Sequence, residues 1–136
     1  IDWLVDVHKE YGLKPETLFL TANLTDRYFS RTQVVWQQVQ LVGVGALLVA
    51  SKFEEIHPPT VSNLVHITAN AYTKREIMDM EISILSAVAF KVSCPTAAHF
   101  LLHLQAAQFM LETCSSEGPC SQVHIELAWY VMKLAL

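Results

Sequence analysis

The sequence has few of the residues that break regular structure and no concentration of positive charge. Its 136 residues include only 4 glycines and 5 prolines, which leaves little room for the frequent turns of an all-β protein. The formal net charge is -4, and no block of Lys or Arg occurs. A nucleic-acid surface needs a basic stripe to neutralise phosphates. The composition therefore argues against a nucleic-acid-binding protein.

Cysteines and long apolar runs are also scarce. The three cysteines, Cys94, Cys114 and Cys120, are odd in number and form no C-x-x-C zinc pattern, so we expect free thiols in a reducing compartment. The longest apolar-rich run, residues 39–50, is too short to span a bilayer. The sequence shows no signal peptide and begins and ends within helical patterns, so we expect further segments at both ends.

The sequence consists largely of segments in which apolar residues recur at helical spacing. Hydrophobic residues make up 52% and charged residues 16% of the chain, which indicates one globular domain, or one domain and part of a second. The periodicity predicts seven helices. The first stops at Gly12, the second opens at Pro15, and the others cover residues 35–56, 60–68, 73–90, 95–113 and 122–136.

The third predicted helix is apolar on every side, so we expect it to be the central helix of the fold. Gly43 and Gly45 lie inside it, where each glycine costs about 1 kcal/mol, and close approach of a neighbouring helix would explain them. Pro58 and Pro59 end it, because proline has no N–H and disfavours helix in the residue before it. Asp26 and Arg27 on the second helix form a polar pair that we interpret as structural.

One carboxylate, Glu81, falls in the apolar arc of the fifth predicted helix. A buried charge without a partner typically costs roughly 3–5 kcal/mol, so Glu81 needs a cation. Lys52 is the candidate because it lies among apolar residues at the end of the third helix. The pair fits an internal salt bridge, which periodicity alone favours. It also fits the edge of a protein-docking surface, because Phe53, Glu54 and Glu55 follow immediately.

Catalytic, metal and cofactor sites find little support. His99 and His103 share a helix face, but the sequence offers no obvious third ligand, so we predict no metal site. The segment GVGALL lacks the third glycine of a dinucleotide loop. Ser51, Cys94 and the histidines form no nucleophile set. We expect no cofactor, and a helical metalloenzyme using the two histidines stays a minor hypothesis.

Three long motifs resemble the cyclin box of the A/B-type (mitotic) cyclins. They are DWLVDVHKEYGLKPETLFLTANLTDRYFS, VQLVGVGALLVASKFEEIHPP and YTKREIMDMEISILSAVAFKVSCPTAAHFL. The resemblance covers residues 1–102 and becomes vague beyond them. It implies an all-α fold: a five-helix cyclin box around a central buried helix in residues 1–91, and the first helices of a second, incomplete box in residues 92–136.

The resemblance also implies a non-catalytic protein that binds and activates a cyclin-dependent protein kinase during cell division, in the nucleus and cytoplasm. In the family, the bound cyclin pushes a mobile helix of the kinase inward, so that its glutamate meets the ATP-site lysine. Nine positions match the kinase-facing surface of the family. They are Val49, Lys52, Phe53, Glu54, Glu55, Glu81, Leu85, Phe90 and Val92.

A second site is implied at the other end of the box. Trp3, Asp6, Val39, Gln40 and Ile67 match a groove that recruits substrates and inhibitors carrying Arg-x-Leu-type peptides. Trp3 would then be partly exposed, and Asp6 would face the peptide cation. The family arginine that pairs with the position of Asp26 precedes the first residue of this sequence. Trp36 stands where the family often has a basic residue.

The resemblance predicts partners of two kinds, a kinase and docking peptides, and neither nucleic acid nor membrane. An alternative from another class is a cyclin-fold transcription-factor core that binds DNA or a promoter complex. The acidic balance of the chain counts against this alternative.

Overall fold

Helices account for all the regular secondary structure in the part of the chain that the structure describes. The computed structural model describes the backbone of residues 2–114 and 122–134, and the side chains of residues 3–107 and 126–132. A short 3-10 helix, Trp36–Gln38, precedes the third α-helix. The α-helices are α1 Asp2–Glu10, α2 Pro15–Phe29, α3 Val39–Glu54, α4 Val61–Ile67, α5 Lys74–Ala87, α6 Ala97–Cys114 and α7 Gln122–Leu134. The predicted all-α class is confirmed.

The chain divides into two compact units, Ile1–Cys94 and Pro95–Leu136. The first unit contains α1 to α5, and the second contains α6 and α7. The division falls inside the segment KVSCPT that links the fifth and sixth predicted helices. No described helix combines the length and the apolar character that crossing a bilayer requires.

The first unit is built around α3, as predicted. Every residue from Leu41 to Ser51 is buried, and α3 contacts both α2 and α5. The predicted start of this helix at Val35 is wrong, because the chain forms a 3-10 turn there and Val35 and Trp36 are exposed. The α-helix begins at Val39, where burial of apolar surface can stabilise it. It ends at Glu54, two residues earlier than predicted, because Glu55 is extended (φ -99°, ψ 144°).

Two helices of the first unit begin with a threonine whose side chain caps the helix. The Thr60 hydroxyl accepts a hydrogen bond from the Asn63 backbone amide at the start of α4. At α5, Thr73 and Glu76 form a capping box, as the spacing Thr73-x-x-Glu76 in the sequence favours. The Thr73 backbone and side-chain hydrogen bonds to the carboxylate lower the pKa of Glu76. These caps fix where α4 and α5 enter the bundle.

Residues in the left-handed backbone conformation follow the C-terminal ends of α1 and α5. Gly12, which follows α1, has φ +58°, a conformation that glycine adopts without steric cost. The prediction that the fifth helix continues to Phe90 is wrong, because Ala89 and Phe90 have φ 53° and 57°. The Phe90 amide donates to the Leu85 carbonyl at 2.8 Å, which closes the helix in a Schellman-type turn. Helix α5 therefore ends at Ala87.

In the second unit, α6 begins two residues later than predicted, at Ala97. The Thr96 hydroxyl and His99 Nδ1 lie 2.8 Å apart across its first turn. The polar segment CSSEGPCS between the last two helices favours a turn, but its residues 115–121 lie outside the described residues. The side chains of Cys114 and Cys120 also lie outside them.

Candidate functional site

An ion pair joins the two charges that the sequence placed on apolar helix faces. Lys52 Nζ lies 2.7 Å from Glu81 Oε1 and 2.9 Å from Glu81 Oε2. Lys52 is in the last turn of α3 and Glu81 is in the middle of α5, so the pair bridges two neighbouring helices. The predicted partnership between Lys52 and Glu81 is confirmed.

The Lys52–Glu81 pair is partly exposed to solvent, so it is not a buried salt bridge. The side chain of Lys52 is 48% exposed, whereas that of Glu81 is 15% exposed. Glu81 is thus shielded by its apolar neighbours, and Lys52 covers it from the solvent side. A pair this open to water contributes about 0–1 kcal/mol to stability. Its place in the structure is the edge of a surface groove.

That groove, here called the Lys52–Glu81 groove, is a cavity of about 210 Å³ between α3, α5 and the segment after α5. Its lining consists of six residues, all of them among those that the family resemblance assigned to kinase binding: Val49, Lys52, Phe53, Glu81, Leu85 and Val92. Val49 belongs to the buried core, and Leu85 and Val92 pack against that core. The groove therefore has a rigid apolar floor and a charged rim.

Phe53 is the most exposed apolar side chain of the groove. It is 53% exposed although it follows a run of buried residues on α3. Phe90 is 70% exposed and does not line the groove. Phe90 is the second of the two left-handed residues that turn the chain after α5, and Val92 follows two residues later. An aromatic side chain left in water beside a groove is typical of a protein–protein contact surface.

Two residues also assigned to kinase binding contact the start of α2, Glu55 through its side chain and Glu54 through its backbone carbonyl. Glu55 Oε1 accepts hydrogen bonds from the Lys14 amide at 2.7 Å and from Thr17 Oγ1 at 2.5 Å. The Glu54 carbonyl accepts a hydrogen bond from Lys14 Nζ at 2.8 Å. Neither glutamate lines the Lys52–Glu81 groove. Glu55 thus has a structural role that the sequence analysis missed.

The start of α2 contains a feature that indicates a capping residue from elsewhere in the chain. Lys14 occupies the N-cap position and makes no side-chain capping bond. Since the first amides of a helix need acceptors, a cap from elsewhere in the fold was to be expected. The sequence could not indicate which carboxylate supplies it, because Lys14 and Glu55 are 41 residues apart.

A second cavity, here called the tryptophan cavity, lies between α1, α2 and the start of α3. It has a volume of about 630 Å³. Its lining includes Trp3, Val39 and Gln40, three of the five predicted docking residues. Asp6 is exposed, Ile67 is half-buried, and neither lines this cavity. Trp3 is half-buried.

The lining of the tryptophan cavity extends beyond the three predicted docking residues. It includes three aromatic residues and one acidic residue, Phe29, Trp36, Tyr72 and Asp26. Trp36 is 85% exposed. The Tyr72 hydroxyl donates to the Gln37 carbonyl at 3.2 Å, which ties the segment before α5 to the 3-10 turn. The cavity is thus an aromatic hollow with one carboxylate.

Comparison with known proteins settles the family. The sequence model described as "Cyclin, N-terminal domain" matches residues 1–93. The chain belongs to the cyclin family. It is 47% identical to Cyclin-A1-4 of Oryza sativa subsp. japonica over 138 aligned positions, which cover 100% of this chain and 37% of that protein.

Two further relatives carry the A-type and B-type names. Identity is 42% to Cyclin-B1-4 of Arabidopsis thaliana and 42% to Cyclin-A1 of Homo sapiens, each over 100% of this chain. The match covers 33% of the first and 27% of the second, so this cyclin chain spans about a third of the length of its curated relatives.

A solved structure agrees with the fold. The X-ray structure of a viral cyclin from herpesvirus saimiri matches with a TM-score of 0.73 and 26% sequence identity. The alignment covers 78% of this chain and 46% of the viral one.

Three residues of this cyclin were assigned structural roles from the sequence, and the structure separates them. Asp26 is exposed and forms no ion pair with a described side chain. Arg27 Nη1 instead donates to the Lys91 carbonyl at 2.9 Å, so Arg27, rather than Asp26, links α2 to the segment after α5. The two charges diverge because consecutive residues of a helix point about 100° apart.

The two glycines of α3 also differ. A Cβ on Gly45 would lie 2.7 Å from Met80 Cγ, so the close approach of α5 that we predicted exists there. A Cβ on Gly43 would meet Leu4 at 3.6 Å, an ordinary van der Waals distance. The prediction that a close helix approach explains Gly43 is therefore wrong.

The histidines of α6 lie at the surface of the second unit. His99 is half-buried and contacts Thr96, and His103 is exposed. Among the described residues, no group of three or more His, Cys, Asp or Glu side chains is arranged to hold a metal ion.

Proposed function

We propose that this cyclin chain is the kinase-binding part of a regulatory subunit that activates a cyclin-dependent protein kinase during cell division. The Lys52–Glu81 groove is the observation that carries the proposal. It joins an ion pair, an apolar floor and the exposed Phe53 on one surface. The A-type and B-type names of the relatives favour this role over a transcription-factor core.

The groove has the composition that a protein partner would use. Its floor of Val49, Leu85 and Val92 offers apolar surface at a fixed position, because these residues belong to or pack against the core. Burial of such surface by a partner is worth about 25 cal/mol per Å². Phe53 would supply the aromatic anchor, and the Lys52–Glu81 pair would fix the register by hydrogen bonding.

Activation would be indirect, because the cyclin brings no catalytic group to the reaction. A kinase is active when the glutamate of its mobile helix pairs with the ATP-site lysine. A rigid apolar surface that packs against that helix stabilises the inward position and shifts the population towards the active state. Phe53, Phe90 and the groove floor would provide this surface.

We also propose that the tryptophan cavity recruits Arg-x-Leu-type peptides of substrates and inhibitors. Trp3, Val39 and Gln40 share this cavity, and its aromatic walls suit an apolar side chain of the peptide. Asp6 and Ile67 would then contact the peptide outside the cavity.

Imaging of the tagged full-length protein in dividing cells would check the proposed nuclear and cytoplasmic localisation.

The kinase proposal is tested by charge reversal in the full-length protein. Lys52→Glu is expected to weaken binding of a purified cyclin-dependent kinase by tenfold or more, because it places two like charges at the groove. The fold should survive, since the half-exposed pair contributes at most about 1 kcal/mol. Circular dichroism and the melting temperature would report folding, and kinase binding would be measured by surface plasmon resonance.

Arg75→Glu is the matched control. Arg75 also forms a surface ion pair on α5, with Asp79 at 3.9 Å, but neither residue lines the groove. This variant should bind the kinase normally. Normal binding by Lys52→Glu would contradict the proposal. Unfolding of Lys52→Glu without a separate effect on the surface would instead favour the internal salt bridge.

A further inference from the structure

A third cavity, here called the loop cavity, adjoins the tryptophan cavity. It has a volume of about 810 Å³ and is formed by the end of α2, the connection to α3 and the first residue of α3. Phe29 and Val39 line both cavities. The two cavities therefore share a wall, and a single extended peptide could contact both without leaving the surface.

Large apolar side chains are exposed around the wall that the two cavities share. Phe29 is 39% exposed, Val35 is 57% exposed and Trp36 is 85% exposed. Val35 lines the loop cavity and Trp36 lines the tryptophan cavity. Large apolar side chains exposed together, with polar residues around them, are typical of an interaction site. The patch continues from one cavity into the other.

The two cavities differ in charge. Asp26, which is acidic, lines the tryptophan cavity, and Arg31, which is basic, lines the loop cavity. One N–H of Arg31 donates to the Ala87 carbonyl, which holds the side chain against the end of α5. A guanidinium has five N–H donors, so others can bind a carboxylate. The loop cavity thus favours a negatively charged side chain.

We propose that the loop cavity is a second subsite of the peptide-docking surface, and that it receives an aspartate or glutamate of the docked peptide. The acidic side chain would pair with Arg31, while a neighbouring apolar side chain packs on Val35 and Phe29. This inference rests on the proposed docking of Arg-x-Leu-type peptides in the tryptophan cavity. It adds a specificity determinant, because it selects among such peptides by their acidic residues.

The test measures fluorescence polarisation of synthetic peptides with the full-length protein. The parent is an Arg-x-Leu-type peptide extended by neutral residues on both sides. Variants carry one aspartate, or one asparagine as the uncharged match, at each position up to six residues away on either side. We expect the aspartate to lower Kd roughly two- to fivefold over asparagine at one or more positions, as for an exposed ion pair.

Two arginine variants separate the subsite from general charge. Arg31→Gln should abolish the gain from aspartate, and Arg31→Lys should keep part of it. Arg27→Gln is the matched control. Arg27 lies four residues before Arg31 and likewise donates to a backbone carbonyl, that of Lys91, but it lines neither cavity. It should leave the gain unchanged. High salt should reduce the gain, since exposed pairs are screened.

The outcomes distinguish this inference from the docking proposal. A parent peptide that binds, with no gain from aspartate at any position, would overturn the loop subsite alone. A gain that persists in Arg31→Gln would also overturn it. A parent peptide that shows no binding, or one whose affinity Trp3→Ala leaves unchanged, would overturn the docking proposal and the subsite together.

Discussion

The carboxylate of Glu55 caps a helix that begins 40 residues before it. Its Oε1 lies 2.7 Å from the backbone nitrogen of Lys14, and Lys14 Nζ donates in return to the Glu54 carbonyl at 2.8 Å. The end of α3, which carries Lys52 and Phe53, is thereby fastened to the start of α2. This reciprocal contact positions the Lys52–Glu81 groove without taking part in its lining.

Glu55→Ala is therefore expected to destabilise the protein by about 1–2 kcal/mol, the usual cost of removing an N-terminal helix cap. Glu55→Gln keeps an acceptor oxygen and should cost less. Urea unfolding followed by circular dichroism would measure both. Glu10→Ala, at an exposed position on α1, should change the free energy of unfolding by less than about 0.5 kcal/mol. Equal stability of Glu55→Ala and wild type would contradict the capping role.

The two glycines of α3 should respond to alanine with opposite signs. In Gly45→Ala the new methyl group would lie 2.7 Å from Met80 Cγ and 3.1 Å from Ile84 Cδ1. Overpacking of this kind typically costs about 1–3 kcal/mol, more than the helix-propensity gain of about 1 kcal/mol. Gly43→Ala meets only Leu4 at 3.6 Å, so the propensity gain should prevail. Thermal unfolding of both variants would show whether the signs differ.

Ala89 is a position where glycine should stabilise the fold. Its φ of 53° is left-handed, which costs a residue with a Cβ roughly 1–2 kcal/mol. Ala89→Gly removes this cost but adds freedom to the unfolded chain, so we expect a net gain of about 0.5–1 kcal/mol. In Ala22→Gly, inside α2, the same exchange should cost about 1 kcal/mol. A loss of stability in Ala89→Gly would show that the Cβ makes contacts worth more than the strain.

The capping box of α5 predicts a pH dependence. Hydrogen bonds from Thr73 lower the pKa of Glu76 in the folded state. The group binds its proton more weakly when folded, so its stabilisation is complete above the unfolded-state pKa and is lost as pH falls through the folded-state pKa. Glu76→Gln should therefore reduce the difference in melting temperature between neutral and acidic solution. Glu10→Gln is the comparison, and an identical effect of both changes would argue against a specific cap.

Periodicity predicted most of the fold, because it reports where apolar surface must be buried. The burial of α3 on all sides and the positions of α2, α4 and α5 follow from this pattern. The capping box at Thr73 follows from a local motif, Thr73-x-x-Glu76. The residues at which the helices begin and end were less predictable. Val88, Ala89 and Phe90 continue the helical pattern in composition, but the backbone turns left-handed at Ala89 and Phe90. Alanine and phenylalanine carry no local signal for that conformation.

The sequence also predicted part of the candidate site, and the structure corrected the rest. The mismatch of Glu81 with its apolar arc predicted a cation, and the position of Lys52 made it the candidate. The cyclin motifs selected the other residues of the Lys52–Glu81 groove. They also assigned Glu54 and Glu55 to one surface with Phe53, whereas the structure turns Glu55 towards α2.

The sequence by itself determined the helices, the central position of α3 and the partnership of Lys52 with Glu81. These depend on local spacing and on the high cost of burying an unpaired charge. Only the tertiary structure decided that Lys52 is half-exposed, that Glu55 caps α2, and that Trp36 and Arg31 line adjoining cavities. Each of these depends on how segments distant in sequence approach one another. That approach is set by packing of the whole core, which no local pattern records.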